Sequence, residues 1–79
     1  MILDKQHADA FREYAKPLAK LEKTLNRDKN GTVIIHAFAD PFGNRMVRVT
    51  GGRGSQKVVC IEGAGPALAV RDVAKAAAV

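Results

Sequence analysis

Apolar residues in the first third of the chain recur at helical spacing. Phe11, Tyr14, Leu18, Leu21 and Leu25 fall on one stripe, and charged residues fill the positions between them. Asp4 suits an N-cap, because its carboxylate can accept from the free amides of a first turn. Pro17 removes one backbone donor and crowds the carbonyl of Glu13. The stripe therefore predicts a helix kinked near Lys16, or two nearly collinear helices with the second opening at Pro17. A polar run at 26–31 (Asn-Arg-Asp-Lys-Asn-Gly) ends it.

Beyond that run the pattern changes period. Residues 32–39 are β-branched and aromatic-rich, and 45–50 alternate, with Val47 and Val49 on one face and Met46 and Arg48 on the other. Residues 56–62 hold a compact apolar run, Val58 to Ile61. The Asp40-Pro41-Phe42-Gly43-Asn44 connection combines an Asp that can bond the backbone ahead of it with a proline that presets φ and a glycine free to take positive φ. A looser glycine-rich connection at 51–55 follows. Both are short, so antiparallel neighbours are expected. After Gly63-Ala64-Gly65 the chain enters Pro66, a favoured first helical residue, and 67–78 read as helix with Val70, Val73, Ala74 and Ala77 on one side. The expectation is one α+β domain over 1–79. It has a three-stranded antiparallel sheet in the order 1-2-3, with the kinked or split N-terminal helix and the C-terminal helix packed on one face.

Composition narrows the functional classes. The chain has 79 residues, and 13 of its 37 apolar residues are alanine, leaving 24 larger ones for a core. A full dinucleotide-binding fold or a TIM barrel is excluded by size. Dimerisation would supplement so thin a core. Acidic Asp4 and the recurrence of charges argue against a secretory signal and a membrane span, so a cytoplasmic protein without membrane contact is expected.

The formal charge of +5 is unevenly placed. Residues 1–40 carry seven bases and six acids, whereas 41–61 carry Arg45, Arg48, Arg53 and Lys57 with no acid. This basic hairpin is the candidate binding surface, with Phe42 in the adjoining turn as a further contact. Because Arg45 alternates in phase with Val47, the four cations share a face only if Arg45 frays at the turn.

Other chemistry is sparse. Cys60, His36 and Asp40 are the residue types of a thiol–imidazole–carboxylate set, but they occupy no nucleophile motif. Cys60 reads instead as a small buried hydrophobe, or else as a thiol that could join two copies. His7 and His36 show no metal-ligand spacing, so no metal is expected. Gly63-x-Gly65 sits where a phosphate loop belongs, yet Pro66 deletes an amide and Leu68 stands where a third glycine would be. No cofactor is implied and no enzymatic activity is expected.

The order helix, three strands, helix, with Gly63-Ala64-Gly65 before the last helix, resembles the double-stranded-RNA-binding domain and implies an RNA-binding function. The family's lysine cluster falls here at Ala67, Leu68 and Ala69, and its hairpin turn at Pro41-Phe42-Gly43-Asn44. In size and format the chain also resembles the small single-domain inhibitors of phages and mobile elements, anti-CRISPR proteins among them. That likeness implies a non-catalytic regulator acting on a protein or nucleoprotein complex. The expected function is a binding module that meets a nucleoprotein or nucleic acid through the basic hairpin, with a nucleic-acid-binding domain or a structural homodimer as the alternatives.

Overall fold

The computed structural model describes residues 1–29, 32–51 and 54–77. It is an α+β fold, but its sheet has four strands rather than three and is mixed rather than antiparallel. β1 (Ile2–Leu3) runs parallel to β2 (Ile34–Ala39). β3 (Arg45–Thr50) and β4 (Gln56–Cys60) continue as an antiparallel meander, giving the order β1-β2-β3-β4. The three-stranded expectation fails at its first strand because two residues carry no readable period. A parallel pair needs a long crossover, and the chain from Leu3 to Ile34 supplies it through the helix α1 (Ala15–Lys29).

The N-terminal helix also needs correcting. Residues 5–7 and 9–11 form 3-10 turns, closed by bonds such as His7 N–H to the Asp4 carbonyl and Arg12 N–H to the Asp9 carbonyl. Regular helix begins only at Ala15, which puts Pro17 in the first turn, where a missing N–H costs nothing. There is thus no kink at Lys16 and no upstream α-helix. Asp4 makes no side-chain cap bond; its Oδ1 lies 3.1 Å from His36 Nε2 instead. The apolar stripe nonetheless ends up inside. Phe11, Tyr14, Leu18 and Leu25 are buried and Leu21 is half-buried, the first two carried by turns rather than by helix.

α1 and α2 (Pro66–Ala77) pack side by side on one face of the sheet. Strand alternation sends Ile35, Ala37, Val47 and Val49 toward them, where they close a single core with Phe11, Leu18, Ile61, Ala69 and Val73. Tyr14 is anchored there by its hydroxyl, which donates to the Ala64 carbonyl. Among the described residues no helix is long and apolar enough to cross a membrane.

Two polar side chains of α1 hold the helix to the sheet backbone. Glu22 accepts from the Ile35 amide at 2.7 Å through one oxygen and from the Met1 ammonium through the other. Asn26 accepts from the Val33 amide and donates to the Val33 carbonyl, satisfying both groups just before β2 begins. Replacing Asn26 by Ala strands two backbone groups beside the core, and a loss of about 1–3 kcal/mol is expected. Urea denaturation of Asn26→Ala against wild type measures it. Asn26→Asp, which keeps the acceptor but loses the donor, is expected to fall between the two.

Candidate functional site

The turn between β2 and β3 is built by Asp40. Its carboxylate accepts from the amides of Phe42 (2.9 Å) and Asn44 (2.8 Å) and from the Asn44 side chain (3.0 Å). Gly43 takes φ +85°, a conformation L side chains rarely adopt. These hydrogen bonds, led by those from Asn44, hold the Asp40 carboxyl below its ordinary range. Phe42 rides at the tip, 89% exposed, with its ring in solvent.

The basic residues of the hairpin are not gathered on one face. Arg45 points to the helix side, in phase with Val47 and Val49, and is fully engaged. Its backbone N–H and Nε each bond Glu62 Oε2 at 2.9 Å, its Nη1 bonds the Ala10 carbonyl at 3.2 Å, and its guanidinium lies over the Tyr14 ring at 5.4 Å. This arginine fastens the 3-10 segment to the sheet, and the contact lowers the Glu62 pKa. Lys57, opposite Val49, is exposed on that same side. Arg48 faces the other way. Arg53 lies outside the described residues.

Arg48 stands on the face that no helix covers. The strand registers place in one row Ile2, His36, Arg48 and Val58, and in the next Phe38, Met46 and Cys60. The guanidinium of Arg48 sits 5.0 Å from the centre of the Phe38 ring, and His36 lies 5.5 Å from the same ring. Among the described residues Arg48 has no carboxylate partner, and the Asp4 carboxylate lies 3.1 Å from His36 Nε2. Ile2 and Val58 at the margins are each 51% exposed, and Phe38 and Met46 at the centre are half-buried.

Cys60 belongs to this open face. It is exposed, not the buried hydrophobe its residue type suggests, since its strand position puts it away from the helices. His36 and Cys60 are separated by the whole of β3, and Asp40 is occupied in its turn, so the three are not brought together. Among the described residues no three His, Cys, Asp or Glu side chains cluster as metal ligands. Gly63 is explained by a turn: it takes φ +82° where the Ala64 amide bonds the Ile61 carbonyl.

Reading the sequence did not single out His36, Phe38 and Met46 as surface residues. The available signal was that residues 32–39 are apolar at both parities, which reads as a strand buried on two sides. A chain with only two helical segments has nothing to lay over the second side. An open groove of about 820 Å³ lies between the 3-10 segment and the Asp40 turn. Its arginines are spoken for, Arg12 by Asp9 and Arg45 by Glu62.

No protein-family model matches the chain, and neither a curated protein nor a solved structure matches it.

Glu62 and Asp40 both have folded-state pKa values below their unfolded ones, so the unfolded chain binds more protons as the pH falls. Their stabilisation is complete above the ordinary carboxylate range and is lost on acidification below about pH 4. Melting temperature measured across that range is expected to drop with acid, and Glu62→Gln to shallow the drop while lowering the plateau.

Proposed function

We propose that this chain is a non-catalytic binding module that engages single-stranded nucleic acid, free or within a nucleoprotein complex, through its uncovered sheet face. The observation that carries this reading is Arg48, held over Phe38 at the centre of that face with no acidic partner among the described residues. Bases stack on aromatic rings and guanidinium planes, and the same guanidinium attracts phosphate. Phe38, His36 and Arg48 lie on the two central strands, where a flat surface is broadest. The overall charge of +5 favours an anionic partner and works against imitation of DNA. A module that occupies the exposed strand of a nucleoprotein complex would act as a small inhibitor of it.

The contact differs from the hairpin expected from charge alone. Arg45 is withdrawn by Glu62, and the binding set becomes Arg48 with the rings beside it, while Lys57 contributes only from the opposite side of the edge strand.

Fluorescence anisotropy with labelled single-stranded DNA and RNA tests the reading. Phe38→Ala is expected to weaken binding by about 1–3 kcal/mol, the usual worth of one stacked base. Arg48→Glu is expected to abolish it while the thermal melt stays near wild type. Binding unaffected by Arg48→Glu, or absent from the wild type at low salt, would rule the proposal out.

A further inference from the structure

The strand order leaves β4 at one edge of the sheet, and the hydrogen bonding around it shows which of its backbone groups are free. Ile61 N–H bonds the Arg45 carbonyl at 3.0 Å, and Gly51 N–H bonds the Ser55 carbonyl at 2.7 Å. Both pairs extend the β3–β4 register, in which Val47 faces Val59 and Val49 faces Lys57. In an antiparallel ladder, bonded and non-bonded pairs alternate. Positions 57, 59 and 61 therefore turn their amides and carbonyls toward β3, and Gln56, Val58 and Cys60 turn theirs outward. Three donors and three acceptors stand in a row, and among the described residues none has a partner.

Edges of this kind are usually blunted by proline, by a bulge or by charge at the outward positions. Here those positions hold Gln, Val and Cys, and the strand's one charge, Lys57, lies on the helix side. The row is also self-complementary. It has an odd number of outward residues centred on Val58, so a two-fold axis through Val58 pairs every donor with an acceptor. Val58 exchanges two bonds with its own copy, and Gln56 exchanges two with Cys60 of the second copy at each end, six in all. On the helix side Lys57 falls opposite Val59 of the second copy rather than opposite itself, so like charges are not set face to face. The half-exposed Val58 side chains cover each other, and a thin core gains the support of a second one.

We propose that two copies of this chain associate through antiparallel pairing of β4 with β4, in the register centred on Val58, to form one continuous eight-stranded sheet. The pairing does not depend on nucleic-acid binding. It joins the two uncovered faces into one and doubles the Arg48 site.

The test uses the full chain without nucleic acid and with reductant present, and reads mass by sedimentation or light scattering. A mass near 17 kDa, twice the 8.5 kDa of one chain, is expected. Val58→Pro deletes only an outward amide, so it spares the β3 ladder and is expected to return the mass to 8.5 kDa with an unchanged circular dichroism spectrum. Val58→Glu, which sets two carboxylates on the axis, is expected to do the same and decides the matter if the proline variant does not fold. Cys60→Ser is expected to remain dimeric, because backbone bonds and not a disulfide hold the pair. The proposal is overturned by a wild type that stays monomeric at about 1 mM protein. It is equally overturned by a dimer that both Val58 variants leave intact, or by one that reductant dissolves. A monomer that still binds oligonucleotide would overturn the dimer alone, and a dimer that binds none would overturn the nucleic-acid reading alone.

Discussion

Four strands at about 4.8 Å spacing make a sheet roughly 19 Å wide, and two helices each about 10 Å across make a roof of the same width. The helices α1 and α2 are fully used in covering one face, and the rest of the architecture follows from that arithmetic. The covered face collects Ile35, Ala37, Val47 and Val49 into a core completed by Phe11, Leu18 and Ile61. The opposite face is left with a mixture of apolar and polar residues, Phe38 and Met46 beside His36 and Arg48, and no described helix lies above them. Glu22 and Asn26 are what keep the roof in place, since each satisfies backbone groups at the start of β2 from a position on α1.

Arg45 and Arg48 show how completely position in a strand decides what a charge can do. They are three residues apart, so they leave opposite faces of β3. One is consumed by Glu62, Ala10 and Tyr14 and ties the N-terminal turns to the sheet. The other rests on Phe38, with no acidic partner among the described residues. Counting bases along the chain treats the two as equals, whereas the fold makes the first a fastener and the second a contact.

The meander was legible because its signals are local. Alternation at 45–50, the Asp-Pro-x-Gly-Asn turn and Pro66 at a helix start each need only a few neighbouring residues to be recognised. What could not be read depends on distant partners. Ile2 and Leu3 become a strand only because His36 and Ala37 are beside them, and residues 5–11 resist the helix their apolar spacing suggests because the chain must first leave that strand and turn. For the candidate site, the phase conflict between Arg45 and Val47 was visible in the sequence and pointed the right way. The placement of Phe38 and Cys60 on the uncovered side was hidden, because an apolar residue there looks the same in sequence as one on the covered side.

The parallel pairing of β1 with β2 sets the protein's internal dynamics apart from its architecture. Its partners are 34 positions apart in the chain, while β2, β3 and β4 are joined by short connections. Contacts that close so long a loop are gained late in folding, and a strand of two residues gives little back for closing it. β1 is thus the element most ready to open on its own, with amides there exchanging with solvent well before those of the meander. Each such opening takes Ile2 off the uncovered face and Asp4 away from His36. The surface around Arg48 thus loses a carboxylate from its margin with each such opening, while the core beneath it stays closed.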